Sequence, residues 1–335
     1  MPDYAALIRA EFPNRKIVVV GDLVADQFLY GAITRISREA PVFILRHDET
    51  ETHPGGAANA AANVAALGGK AVAVGVVGRD ANGAKLFEAM EKAGVDCNLI
   101  IASEKILTTA KVRVLAGQRH TPRQQVVRID YEHSNTLDAE TCEQLQTNFR
   151  RAVADADAVI ISDYNYGVAG AEIARDAAQI CREKRIPLVV DSRFRLKNFP
   201  GAASATPNQE EAEALLGENF SDADCRALCK ELDYESLLVT CGNKGMLLIE
   251  RGKSARRMGA VGAKEPVDVT GAGDTVIAAY ALGLASGLNY ADSARLANHA
   301  GGIVVMKKGT ATASAEELIR SLAEIENSEG RAQTR

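Results

Sequence analysis

The segment best equipped for chemistry is Asp268-Val269-Thr270-Gly271-Ala272-Gly273-Asp274, followed by the apolar, small-residue stretch Thr275–Ser286. Glycines that open a helix leave backbone N–H groups unpaired at its positive end. Phosphate oxygens, and the charge that develops as a phosphoryl group moves, are stabilised there. Asp274 falls in the first turn of that predicted helix, placed to take a proton from a hydroxyl directed at the same anion. Taken alone, Gly-x-Gly-Asp reads equally well as a turn with Asp274 as the helix cap. A dinucleotide fingerprint needs a third glycine at position 276, which is Val276, and a place after the first strand. A Walker A loop fails as well, because Leu247 stands where the glycine preceding Gly252-Lys253-Ser254 belongs.

A second glycine site, Pro54-Gly55-Gly56-Ala57-Ala58-Asn59, opens the Ala-rich helix Ala60–Leu67 and closes at Gly68-Gly69. Paired glycines allow close backbone approach, and Asn59 offers a polyol both a donor and an acceptor. Tight helix packing by small residues is the competing explanation. Asp22 and Asp26 lie around the end of the first strand, where open α/β sheets bind ligands, and carboxylates suit sugar hydroxyls. The cysteines include no Cys-x-x-Cys pair, and Cys225 with Cys229 lacks a nearby His, so free thiols are expected.

Elements must hold these residues in place. Ile17–Val20, Val72–Val77, Val159–Ile161, Leu188–Val190 and Leu237–Thr240 read as buried strands. Helix-period segments Gly83–Ala93, Ala139–Ala154, Ala171–Lys184, Asp222–Leu232 and Ala291–Ala300 fall where crossovers are needed, predicting an α/β fold with a mostly parallel sheet flanked by helices. Val42–His47, Thr108–Val114 and Gln125–Asp130 alternate apolar and polar residues, as a half-exposed antiparallel sheet does. They predict a small lid, from about 28–47 and 108–130, inserted in a single domain spanning 1–335. A polar, frayed tail is expected from Asn327 to Arg335. A net charge of -5 disfavours nucleic acid as a partner. No apolar run is long enough for a membrane span and Met1–Phe12 does not read as a secretory signal, so a cytoplasmic location is expected.

Gly55-Gly56 with Asn59, Gly75-Val76-Val77-Gly78-Arg79-Asp80, Pro207-Asn208-Gln209-Glu210-Glu211, Thr240-Cys241-Gly242 and Asp268–Asp274 occur in the order found in PfkB carbohydrate kinases. From about Lys16 to Leu322 the sequence resembles that ribokinase-like family. Within it, the chain is most similar to the heptose 7-phosphate kinases, including the kinase half of the bifunctional ADP-heptose synthesis enzyme. The pointers are Tyr30-Gly31, Arg35-Ile36-Ser37, Glu39-Ala40-Pro41-Val42, Thr109-x-Lys111-x-Arg113-Val114, Arg128-x-Asp130, Ser162-Asp163-Tyr164 and Asp274-Thr275-Val276-Ile277.

The resemblance implies an ATP-dependent sugar kinase with ATP and Mg²⁺ as cofactors, and admits a monovalent cation. Asp274 becomes the catalytic base, and Gly271, Ala272 and Gly273 an anion hole of backbone amides. Asn208 and Glu211 organise Mg²⁺ held through ATP. Thr240 and Gly242 line the nucleotide, with Asn298 walling its adenine side. Asp26, Gly55, Gly56, Asn59 and Asp163 hold the sugar, beneath a lid carrying Lys111, Arg113 and Arg128. The same lid, one-sided and apolar, is expected to pair with its copy in a homodimer.

The chain departs from the heptose kinases where it has Arg38 for Pro, Tyr166 for Lys, and Asp191-Ser192-Arg193 for Asp-Pro-Lys. The sugar side stays cationic but rearranged, since a guanidinium does not copy an ammonium. With Arg35, Arg38, Arg113, Arg128 and Arg193 brought to the lid and sugar side, an anionic sugar phosphate is the expected substrate, heptose 7-phosphate first. A ribokinase- or fructokinase-like substrate is the alternative. For the lid charges Arg113, Arg128 and Asp130, simple pairing across strands is the competing explanation. Two other classes compete: a sugar or nucleotide sensor that binds without turnover, and a nicotinamide-dependent oxidoreductase supported only by the βα alternation.

Overall fold

The computed structural model describes residues 2–117, 123–132, 136–262 and 265–333, with side chains described as far as Glu324. Its strands are β1 (Lys16–Gly21), β2 (Leu23–Ile36), β3 (Phe43–Gly56), β4 (Lys70–Gly78), β5 (Asp96–Ser103), β6 (Ala110–Gly117) and β7 (Gln124–Tyr131). There follow β8 (Ala158–Asp163), β9 (Leu188–Ser192), β10 (Ser204–Ala205), β11 (Ser236–Thr240), β12 (Met246–Glu250) and β13 (Arg256–Met258). The helices are α1 (Tyr4–Glu11), α2 (Ala57–Ala66), α3 (Ala81–Lys92), α4 (Ala139–Val153), α5 (Ala171–Lys184), α6 (Gln209–Leu216), α7 (Asp222–Glu231), α8 (Ala272–Ala285), α9 (Tyr290–Val304) and α10 (Ala315–Gln333).

Strand β1 shows why the sheet is covered on both sides. Ile17 and Val19 face one core with α2, α8 and α9, while Val18 and Val20 face the other with α4 and α5. Among the described residues the main sheet runs β13-β12-β11-β10-β9-β8-β1-β4-β5, parallel except where β12 and β13 turn back. The chain winds to one side through β4 and β5 and to the other from β8 onward. This makes the gap beyond the carboxyl ends of β1 and β8 a topological switch point, the place where such sheets bind ligands.

The predicted strands and crossover helices are present with small shifts at their ends. The smaller sheet, ordered β3-β2-β6-β7, corrects the expectation of an antiparallel lid. Here β2 pairs antiparallel with β3 but parallel with β6, because β2 continues straight out of β1 after Asp22 alone. The lid is therefore rooted in the central sheet at the switch point. Helix α10 runs to Gln333, through most of the stretch expected to fray. Strands β5, β12 and β13 and helix α1 were not legible as elements, being short or mixed in pattern.

Candidate active site

The glycine loop before α8 is shaped by its own first residue. Asp268 accepts from the backbone N–H of Thr270 and of Gly309, both at 2.9 Å, which folds the loop back on itself. Gly271 then adopts φ +76°, and a Cβ there would lie 2.5 Å from the Asn59 amide nitrogen, so only glycine fits. Beyond it α8 is apolar all round and buried in the core, which fixes its N-terminus rigidly at the end of the sheet. Of the backbone amides expected to hold an anion, that of Ala272 is spent on Val269 O at 3.2 Å.

Asp274 is 3% exposed. One carboxylate oxygen accepts from Asn59 Nδ2 at 2.8 Å and the other from the Tyr164 hydroxyl at 3.1 Å. Burial pushes its carboxyl up to about 7 even though both donors pull the other way. A base whose ionisation lies near neutrality is suited to taking a hydroxyl proton at physiological pH.

Two cavities adjoin at Thr240 and Gly273. One, of about 180 Å³, is walled by small and apolar groups including Gly245, Met246, Val261, Val276, Gly302 and Asn298. A flat aromatic base suits such a wall. The other, of about 370 Å³, is polar and lined by Asp274, Tyr164, Asp191, Arg193, Asn208 and Glu211 among others. Burial raises the Asp191 carboxyl well above its usual range, with Glu211 and Asp274 adding to the effect, and burial likewise raises Glu211. Carboxylates crowded against one another are hard oxygen donors of the kind a magnesium–phosphate group satisfies. Among the described residues no group of three or more metal-ligating side chains stands together.

Residues 14–318 match the pfkB family carbohydrate kinase pattern. The chain belongs to that family. Membership makes it an ATP-dependent sugar kinase. The bifunctional protein HldE of Hahella chejuensis is 42% identical over 319 residues, 93% of this chain, and that of Haemophilus influenzae strain PittEE is 38% identical over 315 residues, 92% of this chain. The kinase spans 64% of the length of each of these relatives. Ribokinase from Arabidopsis thaliana, complexed with ribose and ATP, superposes with a TM-score of 0.67 at 21% identity, covering 92% of this chain and 98% of that one. Phosphofructokinase-2 from Escherichia coli in complex with fructose-6-phosphate gives 0.73 at 18% identity, with 92% and 98% covered. These likenesses show the ribokinase-like fold.

In this kinase Thr240, Gly242 and Asn298 line the apolar cavity, and Asn208, Glu211, Asp163, Arg193 and Asp274 the polar one. Asn208 and Glu211 form a capping box on α6, each side chain accepting from the other's backbone N–H at 2.9 Å, and both line the polar cavity. Asn298 lines the apolar cavity and donates to Gly259 O at 2.7 Å, while Gly242 sits there with φ +56°. Gly55 makes room for Asp26, whose carboxylate a Cβ would approach to 2.6 Å, and Gly56 adopts φ +57° beside the Tyr164 ring. Packing explains these glycines directly.

Several side chains are spent differently from expectation. Asp163 lines the polar cavity but is 1% exposed, and its carboxylate accepts from Ser192 Oγ at 2.7 Å, from Arg195 and from the backbone N–H of Asn165, so it also braces the ends of β8 and β9. Asp22 accepts from the backbone N–H groups of Tyr164, Tyr166 and Val168 at 2.8–3.1 Å, and thereby holds that loop instead of a sugar hydroxyl. Arg113 pairs with Asp26 at 2.6 Å, and Arg128 forms a bidentate pair with Asp130 at 2.9 and 3.0 Å. Arg113 thus pairs from β6 to β2 as a largely buried group, whereas Arg128 pairs within its own strand β7. Lys111 lies 5.2 Å from the centre of the Tyr164 ring, where burial lowers its ammonium pKa and Asp26 raises it. Arg193 lines the polar cavity, whereas Arg38 lies in the turn between β2 and β3 and is not among the residues described as lining it. Sequence reasoning missed Tyr164 and Asp191 as site residues; Tyr164 directly follows β8 and Asp191 is the penultimate residue of β9, and that place at the carboxyl end of a strand is the signal that marks them.

Proposed function

We propose that this kinase transfers the γ-phosphate of ATP to a hydroxyl of a sugar phosphate, with D-glycero-β-D-manno-heptose 7-phosphate as the first candidate and its 1,7-bisphosphate as product. The observation that carries the reading is one cavity lined jointly by Asp274, the N-terminal turn of α8 and Arg193. Asp274 takes the proton of the acceptor hydroxyl as that oxygen attacks the γ-phosphorus. The bond from phosphorus to the β,γ-bridging oxygen breaks, and ADP leaves. The amides of Gly271 and Gly273 face the developing charge, and Mg²⁺ would be held by Asn208, Glu211 and Asp191 through the nucleotide's phosphates, where it offsets their charge. Asp26 and Asn59 lie on the sugar side, and Thr240, Gly242 and Asn298 on the nucleotide side.

Arg193 is the cation described in this lining, and a guanidinium is suited to bidentate recognition of a phosphate. The named relatives, bifunctional HldE proteins, favour heptose phosphate over other sugars. A homodimer joined through the lid fits the exposed apolar residues Ile36, Val42, Phe43, Val127, Ile129 and Tyr131. Use of ATP as the phosphoryl donor supports a cytoplasmic reaction.

The test compares kcat/KM for heptose 7-phosphate with that for the dephosphorylated heptose, then repeats both with Arg193→Ala. The phosphorylated sugar is expected to be preferred, and the variant to narrow the gap by on the order of tenfold or more, as loss of a charged hydrogen bond does. Preference for the unphosphorylated sugar would replace this reading with a ribokinase- or fructokinase-like one. Binding of ATP and sugar without turnover would point to a sensor.

A further inference from the structure

Asn59 and Tyr164 are the two donors on Asp274, and neither is held casually. Asn63 Nδ2 donates to Asn59 Oδ1 at 3.1 Å, and the Thr275 hydroxyl donates to Asn63 Oδ1 at 2.8 Å, so the bonds run Thr275 to Asn63 to Asn59 to Asp274. Since Thr275 follows Asp274 in the chain, the run closes a ring between α2 and α8. Asn59, Asn63, Thr275 and Asp274 are all at most 3% exposed, so the run of bonds is shielded from bulk solvent. An asparagine amide has a donor end and an acceptor end, and reversing this ring would set Asn59 Oδ1 against the Asp274 carboxylate, oxygen to oxygen. The Thr275 proton has a second acceptor, Gly271 O, but at the longer distance of 3.3 Å.

Tyr164 is fixed at both ends. Its backbone N–H donates to Asp22 at 2.8 Å, at the carboxyl end of β1, and Lys111 lies against its ring. Its hydroxyl therefore arrives at Asp274 from β8, the strand across the switch point from the lid.

We propose that Tyr164 is a positioning residue for the base: its hydroxyl, together with an Asn59 amide oriented by Asn63 and Thr275, holds both oxygens of Asp274 in one plane so that a lone pair stays directed at the acceptor hydroxyl. This rests on the reading of Asp274 as the base. The assignment gives Asn59 a second duty beside the sugar, and gives Asn63 and Thr275 a duty with no substrate contact. Each donor also favours the ionised carboxylate, so losing one raises the pH at which the base becomes available. The other charged or titratable groups acting on Asp274 are Asp26 from β2, Lys111 from β6 and Asp191 from β9. None of these is altered when the Tyr164 hydroxyl is removed.

The experiment measures kcat, KM and their pH dependence for Tyr164→Phe, Thr275→Val and Asp274→Asn in the full chain, with ATP and heptose 7-phosphate. Difference infrared spectroscopy of the Asp274 carboxyl provides a reading that needs no substrate. Tyr164→Phe should lower kcat on the order of tenfold with KM for ATP little changed, and move the acid limb and the carboxyl titration upward by about one pH unit. Thr275→Val should move both the same way by less. If Tyr164→Phe leaves kcat and the titration at wild-type values while Asp274→Asn is inactive, the positioning role is wrong and the base stands. If Asp274→Asn keeps its turnover, the base itself is misassigned.

Discussion

Holding a carboxylate ready in a buried site costs stability, and at Asp274 that cost grows as pH rises. Its folded value of about 7 lies above the usual 3.8, so the fold favours the protonated form. The stabilisation of that form is complete below about 3.8 and is lost as pH rises through 7. At about 1.36 kcal/mol per unit, the ionised site is disfavoured by on the order of 4 kcal/mol at pH 8. Asp274→Asn keeps the shape without the charge; its oxygen still accepts from Asn59, while its amide nitrogen donates to the Tyr164 hydroxyl, reversing that bond. It should lose on the order of a hundredfold or more in turnover, keep ATP binding, and melt higher than wild type at pH 8. The melting difference should shrink toward pH 4. An equal difference at pH 4 and 8 would show that burial of the charge is not its cause.

Helix α6 shows one element serving two ends. The Asn208–Glu211 capping box satisfies its first turn, and the same two side chains line the polar cavity next to Asp191. Glutamine at 211 can still accept from the Asn208 N–H, so Glu211→Gln separates capping from charge. Its melting temperature should stay close to wild type. Its activity should fall at low Mg²⁺ and recover in part at high Mg²⁺, measured as a titration of turnover against free Mg²⁺. A uniform loss at every concentration, with a lowered melting temperature, would assign Glu211 to the helix alone.

For the whole molecule the lid decides assembly. Strand β7 lies at the edge of its sheet with Val127, Ile129 and Tyr131 on one face, and the β2–β3 turn adds Ile36, Val42 and Phe43, all exposed. An edge strand with an uncovered apolar face invites a partner, and a second copy brings the same face. Light scattering at micromolar concentration should report a dimer, and Ile129→Ser with Phe43→Ser should shift it toward monomer without unfolding the main sheet. A wild-type monomer in the presence of substrate would remove the lid from assembly.

The α/β class, the covered parallel sheet and the glycine loop with Asp274 at a helix start follow from local patterns: β-branched runs, helix periods and the order of motifs along the chain. Those patterns are local because a residue's burial on a strand or helix depends on its near neighbours. What a polar side chain does depends on which distant atoms reach it, and only the tertiary structure decided that. Asp22 and Asp163, read as sugar ligands, turned to backbone amides and to Arg195; Arg113 and Arg128 found Asp26 and Asp130. Tyr164 and Asp274, 110 positions apart in the chain, met because β8 ends where α8 begins its descent past the switch point. No period or propensity records that meeting, since it is set by the order of strands in the sheet and by the close packing of α2 against α8.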